Sequence, residues 1–418
     1  MYIWWILSIV VCFDVCRAEL EYVHVVWRHG DRTPGELLHP EDLAKWPQGI
    51  GELTKLGVEQ QYRLGQWLRR RYGDWIGEVT SEKIYIRSSD YNRTLMSAQA
   101  NLAGFFPPKT GLEHDLQWQP IAIHSMPKEI DKELYESINC PVAQKELENQ
   151  WTSKEARQLR EEFRGEFEFF RKNLKLEKPI EFSDIWRIFD NFWCEKCNRI
   201  AWPQWLNSTI FDRWEMIYHR VSMMEYKTDT LRRLRGGTLV SEILNRLTAK
   251  SLGHLGSNAK FYAYSAHDST IAALLSTFGI FNPIFPKYAT CLMIEMHKSH
   301  ENNTTMRHVK VWHKNETDVD RIVEYQIPNC QAPCTLEKLK QDLAKFLPRD
   351  WKYECGIVEN DVTAYIITIF MLLFATCFLA TIVILDKMKL KFRRKTFERL
   401  KTGPDGIPML HNDSDEDI

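Results

Sequence analysis

Six residues in three short stretches have the types needed to move a phosphoryl group: Arg28, His29 and Arg32 in the run RHGDRTP (28–34), then Arg93, then the pair His267-Asp268. Arginine is permanently charged and offers planar, forked donors that match phosphate oxygens. Arg28, Arg32 and Arg93 together could neutralise much of a phosphate dianion. Arg93 falls in the first turn of an expected helix, where free backbone N–H groups and the macrodipole favour an anion. In such a nest His29 is the natural nucleophile, because imidazole attacks phosphorus without prior deprotonation if neighbouring cations keep it neutral. Asp268 would protonate the leaving oxygen and then serve as base for water. His267 would add a hydrogen bond to the phosphate. Phosphoryl transfer asks mainly for positioning and charge stabilisation, so the pattern calls for no metal and no cofactor. An aspartic acid that must start protonated implies an acidic pH optimum.

Taken singly, each feature is ordinary. Arg-His is a common surface pair and His-Asp a common structural one; the weight comes from their joint occurrence, each just beyond an expected strand. His24, His114 and His124 read as structural, and Glu113-His114-Asp115 lacks partners at metal-ligand spacing.

The elements that must position these groups are legible as strand–turn–helix units. Residues 22–27 (YVHVVW) form a short apolar, β-branched and aromatic run that predicts a buried strand. Thr54 is placed to cap a helix whose apolar side carries Val58, Tyr62, Gly65, Leu68 and Tyr72. Residues 83–87 (KIYIR) predict a second strand, followed by Ser89-Asp90 as a cap and a helix to about Phe105. Residues 261–264 (FYAY) predict a third, followed by a capped helix over 269–278. Strands alternating with helices imply an α/β fold with a mostly parallel sheet flanked by helices. In open sheets of this kind ligands bind at the carboxyl ends of the strands, where all three stretches lie. Residues 125–255 show charged helical patterns and no convincing strand, so they read as a helical cap inserted between the two sheet-forming segments, 19–124 and 256–355.

The two ends suggest a membrane protein. Residues 2–13 are nearly all apolar and Cys16-Arg17-Ala18 resembles a cleavage site, giving an expected signal peptide over 1–18. Residues 362–385 carry no charge until the last positions are passed, long enough for a transmembrane helix. Lys387, Lys389, Lys391, Arg393, Arg394 and Lys395 follow, so residues 386–418 are expected to be cytosolic and the body luminal or extracellular, a single-pass type I arrangement. Of ten cysteines, Cys12 and Cys16 fall in the leader and Cys377 in the membrane helix; several of the rest are expected to be disulfide-bonded. Asn207, Asn302, Asn303 and Asn315 head glycosylation sequons, whereas Asn92-Arg-Thr lies in the expected site and should be unmodified. The net charge of -1 gives no case for nucleic acid as a partner.

These residues resemble the signature of the histidine acid phosphatases, a branch of the phosphoglycerate-mutase-like superfamily. RHGDRTP at 28–34 is joined by Trp46-Pro-Gln-Gly, YIRSSDYNRTLMSA at 85–98, LQWQP at 116–120, LRGG at 234–237 and YSAHDST at 264–270. The resemblance spans the body of the chain and is greatest to the prostatic, lysosomal and testicular members. It implies a phosphorylated His29, phosphate held by Arg28, Arg32, Arg93 and His267, proton donation by Asp268, no metal, and a homodimer acting on phosphomonoesters. It also implies the disulfides Cys140–Cys355, Cys194–Cys291 and Cys330–Cys334, which leaves Cys197 a spare thiol. The tail lacks a tyrosine-based sorting signal, while residues 405–410 loosely resemble an acidic dileucine one, so lysosome and cell surface both stand as destinations. Two rival readings are a phytase-type phosphatase and a receptor or adhesion ectodomain on a degenerate scaffold. The second would show loss of His29, an arginine or Asp268, and none is lost.

Overall fold

A computed structural model describes residues 18–108, 118–135, 138–282, 284–301, 304–315, 320–357 and 362–401. The rest of the expected signal peptide, Asn302, Asn303, Glu113-His114-Asp115 and residues 402–418 lie outside the described residues. The chain forms two bodies, one up to Ile357 and one from Val358.

The first is built on seven strands: β1 (Glu19–Arg28), β2 (Ile84–Ser88), β3 (Ile123–His124), β4 (Phe261–Ala266), β5 (Cys291–Glu301), β6 (Thr304–Lys314) and β7 (Val323–Tyr325). They lie in the order β3-β2-β4-β1-β5-β6-β7. The first four in that order run parallel, while β5, β6 and β7 are antiparallel. The α/β sheet is therefore mixed, with the parallel half carrying all three expected strands. β1 is covered on both faces, which is why it reads as one continuous apolar run rather than an alternation. Val23, Val25 and Trp27 meet α1 (Lys55–Ile76) and α2 (Asn92–Phe105), and Tyr22 and Val26 join the cluster on the other face.

Between β3 and β4 come α3 (Pro141–Trp151), α4 (Lys154–Glu162), α5 (Arg164–Asn173), α6 (Phe182–Cys197), α7 (Ser208–Met224), the short α8 (Asp229–Leu231), a π-helical turn (Arg232–Gly236) and α9 (Gly237–Ser251). No strand interrupts them among the described residues. α4 to α7 bury a core of their own, rich in Phe163, Phe170, Phe189, Phe211 and Trp214. α9, inside the segment read as the insert, instead packs Leu239, Ile243 and Leu247 on the sheet. After β4 follow α10 (Asp268–Thr277), α11 (Leu336–Leu343) and α12 (Trp351–Glu354).

α1 is capped by Thr54 as expected, its side chain accepting from Gly57 N, but its buried face is turned. Val58 and Tyr62 are exposed, while Gly57, Gln61, Leu64, Gly65 and Leu68 are buried. The cause is a close backbone approach: a Cβ on Gly57 would stand 2.1 Å from Asp31 O. Only glycine lets the helix pass so near the loop that carries His29.

Cys140 is bonded to Cys355 and Cys330 to Cys334. The implied Cys194–Cys291 bond is not formed; both are free thiols. They face different compartments, Cys194 lying 3.4 Å from Tyr288 Oη beside the cleft and Cys291 packing in the apolar layer under α1. Burial pushes the Cys291 thiol up to about 12. Cys197 is also free, as expected.

Among the described residues the second body contains one helix, α13 (Val362–Lys401). Its segment Tyr365–Leu400 is long and apolar enough to cross a membrane, with a mean hydropathy of 2.7 over its most apolar stretch.

Two buried groups with lowered pKa values both cost stability in acid, over different ranges. Glu295, despite burial, is held down to about 2 by His297, Arg71 and Tyr72, so its contribution is full above its ordinary value of 4.5 and fades progressively as the pH falls toward 2. His24 is fully buried with no partner for either ring nitrogen among the described residues, and burial, helped by Arg246, drives its pKa well down. The unfolded chain takes up a proton near pH 6.5 and the folded one does not, so stability falls by about 1.4 kcal/mol per pH unit below that. His24→Phe is expected to shrink the loss of Tm between about pH 7.5 and 5 by roughly 3 °C. Thermal unfolding at the two pH values checks this; an undiminished loss would refute it.

Candidate active site

Three parallel strands end at one level and hand over to the site. Arg28 pairs with Ala266, and Ser88 with Ser265. The ladder runs one bond further on each side, from His29 N to Ala266 O at 2.9 Å and from Ser89 N to Ser265 O at 3.1 Å. His29, Ser89 and His267 therefore leave the sheet side by side. Trp27 Nε1 donates to Ser265 Oγ, which in turn donates to Thr94 O, tying the start of α2 to the same edge.

The cleft above that edge has a volume of about 820 Å³ and is lined by His29, Arg32, Arg93, His267 and Asp268. The His29 and His267 rings are 5.6 Å apart. His29 Nδ1 lies 2.8 Å from Gly30 O. A carbonyl can only accept, so Nδ1 carries the proton and Nε2 keeps its lone pair. Burial, then Arg93, Arg28 and Arg32, push the His29 pKa well below the usual histidine value. The ring is thus neutral and held in one tautomer, with Nε2 available to act as a nucleophile.

His267 is oriented from behind. Its Nε2 lies 2.8 Å from Ser89 Oγ. Thr94 Oγ1 donates to the Ser89 and Tyr91 carbonyls, so Ser89 Oγ donates to Thr94 and accepts from His267 Nε2. Nδ1 therefore faces the cleft, 3.5 Å from Arg93 Nη2. Burial and the arginines lower this pKa also; a phosphate dianion alongside would favour the protonated, donating form.

The three arginines are held differently. Arg32 makes a bidentate pair with Asp190 at 2.8 and 2.9 Å; burial is the largest single influence and opposes its charge, but Asp190, Tyr288 and Cys194 together outweigh it and raise the pKa. Arg28 is turned away from the main cleft. It bonds Pro286 O and Asp268 Oδ2, each at 2.6 Å, and lies 4.2 Å above the Tyr288 ring. Arg93 stacks on Tyr91 at 4.3 Å and has no carboxylate partner among the described residues. Burial and the neighbouring Arg32 cation lower its pKa to about 10. An anion is the missing counter-charge for this group.

Of the residues named from sequence, His29, Arg32, Arg93, His267 and Asp268 line one cleft, and Arg28 reaches it through Asp268. Ser89 and Asp90 do not cap α2; Tyr91 stands at the N-cap position without a side-chain cap bond, and Ser89 is committed to Thr94 and His267. Sequence reading missed Asp190, Tyr288, Ser89 and Thr94. Asp190 is 158 positions from Arg32, and nothing local marks it. Ser89 and Thr94 stand within YIRSSDYNRT and could have been found there. Asn92 lines the cleft and donates to Glu52 Oε1 at 2.9 Å, which fits its reading as an unmodified sequon.

Residues 19–314 match the profile described as "Histidine phosphatase superfamily (branch 2)". The chain is 55% identical over 398 residues to the Caenorhabditis elegans protein named "Putative acid phosphatase 5", covering 95% of this chain and 93% of that one. It is 33% identical over 360 residues to the lysosomal acid phosphatase of Xenopus laevis, covering 84% and 81%. Among solved structures, a Hafnia alvei phytase in complex with tartrate aligns with a TM-score of 0.62 at 16% identity, over 81% of this chain and 98% of that one. The last likeness concerns the fold.

Removing the hydroxyl that orients His267 should weaken anion binding without unfolding the protein. Ser89→Ala is expected to raise the Kd for inorganic phosphate about tenfold, and Ser89→Thr to recover most of the loss. Calorimetric titration checks this, and an unchanged Kd in Ser89→Ala would exclude the orienting role.

Proposed function

The chain belongs to the histidine phosphatase superfamily, branch 2, and from that premise we propose that it hydrolyses phosphomonoesters through a covalent phosphohistidine on His29. It is an acid phosphatase by kinship; the assignment of roles to residues is carried by one observation, the neutral His29 ring with its Nε2 lone pair free among arginines.

Arg32, Arg93 and His267 take the phosphate oxygens, with Arg28 completing the charge through its contact to Asp268. His29 Nε2 attacks phosphorus in line with the ester oxygen; the P–N bond forms as the P–O bond breaks. The Asp268 carboxyl gives its proton to the departing alkoxide. Water then enters where the alcohol left, gives a proton to Asp268, and forms a P–O bond as P–N breaks. Phosphate is released with His29 neutral again. Positive charge already in place means little rearrangement accompanies the transfer. Metal or cofactor plays no part in this scheme.

The cellular setting is inferred from the ends of the chain. A cleaved leader over 1–18, a spanning segment over 362–385 and the basic flank from Lys387 support a type I protein with the body luminal or extracellular. The lysosomal relative supports a lysosomal destination, with the cell surface the alternative. Asn207, exposed at the start of α7, and Asn315 are the described glycan acceptors; Asn302 and Asn303 complete the set. The homodimer follows from family resemblance.

His29→Ala is expected to lose more than about 10³-fold in kcat on 4-nitrophenyl phosphate. Asp268→Asn should slow alkyl phosphates far more than 4-nitrophenyl phosphate, whose leaving group needs no proton. Because the His29 pKa is lowered, the nucleophile stays neutral as pH falls through 6.5. The wild-type kcat/KM should then show no loss between about pH 7 and 5. A decline centred near 6.5, or an active His29→Ala, would overturn the mechanism.

A further inference from the structure

Beyond the scissile phosphate, the cleft carries the opposite charge from the one it binds. His29, Arg32 and His267 form a buried floor. Arg93 stands beside it, and away from these groups Lys128 is the only further cation among the described residues that line the cleft. The same cleft is lined by Glu36, Glu52, Asp90, Glu129 and Glu225. Glu225 is paired with Arg235 at 2.9 Å and Glu52 accepts from Asn92. Glu36, Asp90 and Glu129 are exposed, and no ion pair engages them among the described residues. Depth therefore separates the charges, cationic at the buried end and anionic at the mouth.

The wall on the side of Asp268 is aromatic. Trp186, Tyr218 and Phe285 line the cleft and continue into a small recess that Asp268 also borders. Asp268 is the proton donor of the proposed reaction, so this wall is where the alcohol must lie. A leaving group here stacks on rings and extends toward carboxylates.

We propose, resting on the phosphatase reading above, that this rim selects substrates by the charge of the leaving group. A single phosphate on an aromatic alcohol with positive charge beside it is favoured, and an alcohol carrying several phosphates is rejected. Each additional phosphate dianion would need a cation outside the floor, and apart from Lys128 it would meet carboxylates. The chain thus shares the phytase fold without a cleft suited to a polyphosphorylated ring. Each unpaired carboxylate at this range is worth roughly a two- to threefold preference at low salt, and together they give about tenfold.

The test uses the full chain in detergent micelles near pH 5.5, where ordinary carboxylates are ionised. Substrates are phosphotyrosyl tripeptides flanked by Lys, Gly or Glu, with inositol hexakisphosphate as the polyphosphate and 4-nitrophenyl phosphate as the reference. Lys-flanked peptide is expected to exceed Glu-flanked peptide about tenfold in kcat/KM at about 20 mM salt, narrowing at about 0.5 M. Inositol hexakisphosphate should fall at least about 100-fold below the reference, a larger margin because several dianions are rejected together. The Glu36→Gln/Glu129→Gln variant should narrow the peptide ratio to about threefold and leave 4-nitrophenyl phosphate unchanged. Equal peptide rates, an unaltered ratio in the variant, or rapid hydrolysis of inositol hexakisphosphate would overturn the rim proposal while the reference reaction still runs. Failure of wild type on 4-nitrophenyl phosphate would overturn the phosphatase reading and the rim proposal with it.

Discussion

Three guanidinium groups gathered at one buried edge repel one another, and much of the surrounding structure answers that repulsion. Asp190 reaches from α6 to neutralise Arg32 on both of its outer nitrogens. Asp268 and the face of Tyr288 hold Arg28. Arg93 alone has only a ring beneath it and a depressed pKa. Burial and the same cations keep His29 unprotonated, so one arrangement both holds the ring neutral and leaves a cation beside it without a counter-charge. Preorganised charge of this kind does its work before the substrate arrives.

The backbone supplies the precision. β1, β4 and β2 end together, so that residues far apart in sequence leave the sheet at neighbouring positions. Gly30 and Gly57 let the nucleophile loop and α1 approach to a distance no side chain would allow, a Cβ on Gly30 meeting Gly57 O at 2.2 Å. The loop is further tied by Gly30 N to Ser97 Oγ and Asp31 N to Gln60 Oε1. Helices on one face of the sheet thus fix the tilt of a ring on its edge.

The parallel half of the fold and the five named residues that line the cleft were legible because each follows a short apolar strand, a local pattern. The antiparallel half was not read, although Val309 and Val311 alternate with Lys310 in β6; residues 292–294 of β5 are apolar without a break, which hides its period. Arg28 was named in the sequence as a phosphate cation, but it turns onto Asp268, and that turn depends on Pro286 and Tyr288, more than 250 positions away. The Cys194–Cys291 pair failed for a related reason. Resemblance carries a pairing by position, whereas bond formation depends on where each sulfur packs, Cys194 beside Tyr288 and Cys291 in the apolar layer under α1. The insert was legible as helical texture, but its boundary was not, since α9 is amphipathic like its neighbours and differs only in what it packs against.

The Cys140–Cys355 bond spans 215 positions and joins the residue before α3 to the end of α12. All seven strands and both disulfides lie before residue 357, ahead of the apolar helix. A protease that severed the chain between this bond and α13 would therefore release a body already closed on itself, with its sheet, cleft and covalent staple complete. The apolar helix and the cleft are written into separate stretches of the polypeptide, so the loss of one leaves the architecture of the other whole.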